Sequence, residues 1–202
     1  MLYTPPAQSI PHLGKIVELI QNSSPIDKAF SRKPMLLSRC AGGELYLDSE
    51  LQLDTDGWTG GPGADPTHQS ETSLRYHDGS SLNANTVPYF VLPKPVSWSQ
   101  QLGVSVGDYA MVLFENLITP AVLGDFGPED EIGEGSLELL RLLGQERLQK
   151  DGRVINVGMG PRVLTIIFPG SGKKQRGCLN EASLIQDMAI AKHKFTLLGG
   201  VI

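Results

Sequence analysis

The run VLTIIF at residues 163–168 is almost wholly apolar and closes on Pro169 and Gly170. It is too short for a buried helix and rich in β-branched residues, so it reads as a central strand covered on both faces. Other short runs surround it. In GELYLDSELQLDTDG, Leu45, Leu47, Leu51 and Leu53 alternate with mostly polar neighbours, the mark of a half-buried strand or hairpin. TSLRY and TVPYFVLP read as short strands, and GRVINVGMGPRVLTIIFPG as two more. DYAMVLFENLITPAVLGD reads as two strands about a turn near Asn116, the first ending at Glu115 and the second at Asp125.

Helical spacing occurs in LGKIVELIQ, in SLELLRLLGQERLQ and in the closing NEASLIQDMAIAKHKF. This order lacks the regular alternation of a doubly wound sheet. The expectation is a mainly β single domain, a small closed barrel with flanking helices. Residues 1–43 form an arm with a short helix, and 44–202 the barrel. The 23 glycines and 14 prolines among 202 residues fit a loop-rich β architecture.

The net charge of −5 argues against a nucleic-acid partner. No apolar stretch reaches the ~20 residues of a membrane helix, so no membrane partner is expected. The N-terminus carries no Sec-type leader as it stands. The chain is then cytoplasmic as written, or exported by another route or with a trimmed leader. Cys40 and Cys178 read as buried free thiols, with a bridge across the fold as the alternative. No His-x-x-His spacing exists, LDTDG lacks the downstream ligands of a calcium loop, and FPGSGKK fails the P-loop spacing. No metal or cofactor is expected, and the chain is expected to be a monomer.

The chemistry concentrates in GDFGPEDEIGEGS, residues 124–136, with Asp125, Glu129, Asp130, Glu131 and Glu134. Glycosidic bond hydrolysis uses two carboxyl groups, one to protonate the leaving oxygen and one to activate water or attack. Asp125 ends an apolar strand and Glu134 precedes a helix, so both sit on ordered edges. A solvated acidic loop, with Glu134 favoured by the helix dipole, accounts for the same spacing.

Asp54 and Asp56 in LDTDG are candidate ligands for ammonium groups or an alternative base, against a plain Asp-Gly turn. Thr72 and Ser73 are candidates to bond a sugar or orient Asp125. Among Trp58, Tyr76, Tyr89 and Trp98, Trp58 in the glycine-rich loop is the favoured sugar platform, and Tyr89 lies in an apolar strand. His68 and His77 read as surface residues.

Several motifs occur in family order: LQLDTDG (51–57), ETSLRY (71–76), SLNANTVPYFVLP (81–93), GVSVGDYAMV (103–112), GDFGPEDEIGEGS (124–136) and IIFPGSG (166–172). Through them the chain resembles glycoside hydrolase family 75, the chitosanases. The resemblance implies endo-hydrolysis of chitosan, a β-1,4-linked glucosamine polymer, with inversion. It places the paired carboxyl groups at Asp125 and Glu134, with Glu134 as general acid and Asp125 as general base. Asn83 stands where many members carry Asp, in the segment counted with Asp54, Asp56, Trp58, Thr72, Ser73 and Tyr89 as substrate-binding. The stretch from Gly124 to Gly144 is also similar to double-psi β-barrel proteins of the rare-lipoprotein-A and expansin type, which implies a double-psi barrel. The rival readings are a peptidoglycan-acting glycosidase or lytic transglycosylase, and a non-catalytic saccharide-binding barrel.

Overall fold

The computed structural model describes residues 4, 7–26, 36–58, 60, 65, 68–94, 102–128, 132–172 and 179–202. The strands are β1 (Ser24–Pro25), β2 (Leu36–Arg39), β3 (Leu45–Asp54), β4 (Tyr89–Pro93), β5 (Tyr109–Phe114), β6 (Leu117–Gly127), β7 (Glu134–Ser136) and β8 (Met159–Phe168). They pair in the order β1-β2-β3-β7-β4-β6-β5-β8, and β8 returns to β3. Six strands, β3 to β8, therefore close into a mixed barrel, the mainly β single domain expected. The β3–β7 and β4–β6 pairs are parallel. The apolar run of β8 lies between β3 and β5, as a strand covered on both faces should.

Leu45, Leu47, Leu51 and Leu53 of β3 all point into the core, but Tyr46 between them is buried too. Its face is not solvated: α1 (Ile10–Leu13) sends Leu13, and α2 (Ile16–Gln21) sends Ile16 and Ile20, into the same core. The thiol of Cys40, free in the fold, donates to the Leu19 carbonyl and holds that helix beside the sheet. Cys178 and Trp98 lie outside the described residues, as do Glu129, Asp130 and Glu131.

Four expected elements differ. TSLRY is not a strand beyond one bridge, Arg75 to Ser81, because the Ser73 and Leu74 N–H groups bond Asp125 and Gly124 instead. The first half of GRVINVGMG also makes only a bridge, Leu148 to Val154, and its Val157 is exposed. The helix after Ser136 is short, α3 (Leu137–Leu142). Gly144 ends it in the left-handed conformation, φ +79°. The closing helix divides at Met188 into α4 (Glu181–Asp187) and α5 (Ala189–Leu197). Among the described residues no helix is long and apolar enough to cross a membrane.

Candidate active site

A cleft of about 670 Å³ opens where β3, β4, β6 and β7 meet. Asp54, Asp56, Asp65, Asp125 and Glu134 line it, together with Lys94.

Asp125 reaches it through a register shift. Along the parallel β4–β6 pair Phe90 faces Leu123, but Val91 faces Asp125, so Gly124 is the extra residue of a bulge. A Cβ on Gly124 would stand 2.6 Å from that of Tyr89. On the other side of β4, antiparallel β7 sets Glu134 opposite the same Val91. The two carboxylates thus flank one residue, two strand spacings or about 9.5 Å apart at the backbone.

Glu134 leans across the sheet, and its Oε2 occupies space that a side chain on Gly127 would need. The strand carrying Glu134 is itself held by local chemistry. Gly133 turns into it with φ +85°, and its carbonyl accepts the Gln52 N–H at 2.6 Å. Ser136 Oγ accepts the N–H groups of Tyr89 and Leu139, each at 3.1 Å, and donates to the Val87 carbonyl at 2.7 Å. One hydroxyl therefore caps α3 and fastens β4 to β7.

Asp125 is 6 % exposed, and its Oδ1 accepts three donors. These are the Ser73 N–H at 3.0 Å, the Phe126 N–H at 2.6 Å and the Ser73 hydroxyl. They fix the plane of the carboxyl and leave Oδ2 for a water. The expected orienting part of Ser73 has its geometry here. Thr72 is buried and bonds inward: it donates to the Leu74 carbonyl and accepts the Leu82 N–H.

Asp54 and Asp56 fold into a turn of the kind an Asp-Gly pair makes. Asp54 Oδ1 accepts the Asp56 N–H at 2.7 Å, Asp56 Oδ1 accepts the Gln69 N–H at 2.6 Å, and Gly57 follows with φ +75°. The same turn brings acceptor oxygens of Asp54, Asp56 and Asp125 within 4.8 Å of one another. Ionised pairs at that spacing repel by roughly 3 kcal/mol at an effective dielectric of about 20. Such a cluster draws positive charge: a metal ion, an ammonium group or a shared proton. Burial pushes the Asp54 carboxyl well above the ordinary carboxylate range, and the charges of Asp56, Glu134 and Asp125 add to it. Burial also raises Asp56, opposed by the Gln69 N–H.

Three expected sugar contacts lie elsewhere. Trp58 is 7 % exposed and packs its ring over Gly60 within the core, so it is no open platform. Tyr89 is fully buried, its hydroxyl donating to the Asp56 carbonyl at 2.9 Å beneath the cleft. Asn83 accepts the Asn85 N–H in a turn outside the cleft lining. Conversely, His68 lines the cleft rather than the outer surface. Asp65 escaped the sequence reading because its partners are distant: its Oδ2 accepts from Thr55 at 3.4 Å and from the Asn156 amide at 3.2 Å.

Comparison with curated proteins gave no match. The family model described as fungal chitosanase of glycosyl hydrolase group 75 matches residues 51–195, a span that holds every carboxyl group of the cleft. The chain belongs to this chitosanase family and is a chitosan-hydrolysing glycoside hydrolase.

Proposed function

We propose that the protein cleaves β-1,4 linkages within chitosan with inversion, Glu134 protonating the leaving oxygen and Asp125 activating the attacking water. The observation that carries this reading is the shared register of the two acids on either side of Val91. Inversion leaves room for a water between carboxyl groups roughly 6.5–9.5 Å apart, and a backbone separation of about 9.5 Å with side chains on one face suits it. The triply bonded Oδ1 of Asp125 supports the base assignment, since the other oxygen then has one fixed direction toward the water.

The lining charge supports a polycationic substrate. Five acids stand against Lys94 and His68, a field that concentrates glucosamine units and speeds their arrival. Asp56 and Asp65 are the carboxylates we assign to ammonium groups of the bound chain. The two parallel pairs of the barrel suit a double-psi order.

Reducing-end release from partially acetylated chitosan tests the reading, with proton NMR following the anomer first formed. Release by the parent, an α-anomeric product and loss of release in Asp125→Asn and Glu134→Gln are expected. A folded parent that releases nothing from chitosan but cleaves peptidoglycan would overturn the substrate, and a β-anomeric product would overturn inversion.

A further inference from the structure

We propose that His68 is a specificity residue, which reads the nitrogen substituent of the sugar bound beside Asp56. The choice between a glucosamine and an N-acetylglucosamine unit at that place then follows the protonation of one imidazole; this rests on the chitosan-cleaving reading above and deepens it.

The ring is fixed from two sides. His68 Nδ1 lies 2.5 Å from the Asp65 carbonyl oxygen, which also accepts the His68 backbone N–H at 3.3 Å. Asp65 is buried in its turn, its Oδ2 held by Thr55 and Asn156. The next residue is pinned to the turn after β3. The Gln69 N–H donates to Asp56 Oδ1 at 2.6 Å, and the Gln69 carbonyl accepts the Gly57 N–H at 2.8 Å. The half-buried imidazole is thereby set into the cleft wall on the Asp56 side.

Proton accounting fixes what the ring presents. A carbonyl oxygen can only accept, so Nδ1 carries a proton whether the ring is neutral or charged. Nε2 then holds a lone pair in the neutral ring and a second N–H in the charged one. Among the described residues Nε2 has no hydrogen-bond partner, and Asp56 Oδ2 accepts no donor. Both atoms are open to a ligand in the cleft.

The two charge states select opposite substituents. An ammonium group brings three donors and a positive charge. Beside a neutral ring, Asp56 Oδ2 and His68 Nε2 both accept from it. A charged ring repels it and offers a donor where it needs an acceptor. An acetamide is neutral, and its carbonyl oxygen accepts that same N–H. Burial raises the Asp56 carboxyl; of the charges around it, Asp125 and Asp65 act with burial and His68 against it. A charged His68 therefore competes for the carboxylate that an ammonium group requires. Asp54, Asp125, Glu134 and Lys94 complete the charges of the cleft. Their fields act on the ring and on an ammonium group alike, whereas Nε2 changes from acceptor to donor.

The test is to digest partially acetylated chitosan across a pH series and to sequence the sugar units at the new chain ends by mass spectrometry. NMR follows the protonation of His68 in the same buffers. The ammonium groups of chitosan titrate as well, so the quantity read is the difference between parent and variants. His68→Asn keeps an N–H for the Asp65 carbonyl and presents nothing in the place of Nε2. His68→Gln keeps an amide near that place, gives up the anchor and does not titrate. As pH falls through the titration of the ring, the parent is expected to shift toward acetylated units at one end position. The shift is expected to be about tenfold relative to both variants. A role confined to holding the Asp65 segment sorts the variants differently, with His68→Asn like the parent and His68→Gln unlike it, and that result overturns the proposal. So does a neutral ring found by nitrogen-15 NMR, without substrate, to carry its proton on Nε2. A parent that cleaves chitosan with one preference at every pH sinks the proposal alone. A folded parent that leaves chitosan intact sinks the reading beneath it as well.

Discussion

Gly107-Asp108-Tyr109 and Gly124-Asp125-Phe126 are nearly the same tripeptide, and each puts a buried aspartate at the edge of a barrel strand. Their fates diverge. Asp108, 1 % exposed, spends both oxygens on backbone: Oδ2 on the Ser105 N–H at 2.9 Å and Oδ1 on the Gly172 N–H at 3.0 Å. It staples the turn before β5 to the turn after β8. Asp125 collects its three donors on one oxygen and keeps the other for the cleft. A carboxylate whose acceptors are all taken is structural. One that is held firmly by half of itself is equipped for chemistry.

Substitutions can break this contrast. The largest effect is expected at the pair itself: Asp125→Asn or Glu134→Gln lowers kcat by about 10²–10⁴-fold while the fold is kept, read as reducing-end release beside a circular dichroism melt. Retained activity in either would remove that residue from the reaction. Next comes Gly127→Ala, whose methyl group takes the space of Glu134 Oε2. Displacing that carboxylate by an ångström is expected to cost kcat about a hundredfold. An unchanged rate would mean that Glu134 acts from another position.

Asp108→Ala should invert the outcome. It leaves the Ser105 and Gly172 N–H groups without their partner, at about 1–3 kcal/mol each, so denaturant unfolding moves to lower midpoints while kcat of the folded fraction holds. A kcat loss at full stability would merge the two aspartates into one class. Ser73→Ala removes only the hydroxyl from Asp125 and leaves both backbone donors, so about a tenfold loss in kcat is expected. No loss would show that the two N–H groups suffice.

The subtlest effect is on stability against pH. Because burial raises Asp54, the folded chain holds a proton that the unfolded chain releases from about pH 4. The stability this gives is complete below that pH and is lost as pH rises toward the folded value. Asp54→Asn is therefore expected to melt above the parent, with a gap that opens as pH rises and closes in acid. Parallel melting curves across that range would mean that Asp54 titrates as in an open chain.

Much of this molecule was legible before any coordinate. The leucine face of β3, the apolar run of β8, the turn near Asn116 and the Asp-Gly turn at residues 56–57 are local signals, and the fold agrees with them. The motif resemblance located the family together with four of the five cleft acids, Asp54, Asp56, Asp125 and Glu134. What escaped depended on partners far along the chain. The strand Glu134–Ser136 has three residues, too few for a period, and exists because β3 and β4 offer it edges. TSLRY looks like a strand, but the bulge and the aspartate take its N–H groups. Trp58 looks exposed in a glycine-rich loop, but the ring finds more apolar surface inward.

The sequence by itself determined the leucine face of β3, the apolar run of β8 and the turns near residues 56 and 116, because periodicity and turn chemistry act over a few residues. Only the tertiary structure decided how each acid is held. Whether the aspartate of a Gly-Asp pair has both oxygens tied to backbone or keeps one toward the cleft depends on the donors that reach each oxygen, and beside the local N–H groups of Phe126 and Ser105 the deciding ones come from segments some fifty to sixty residues away, Ser73 for Asp125 and Gly172 for Asp108.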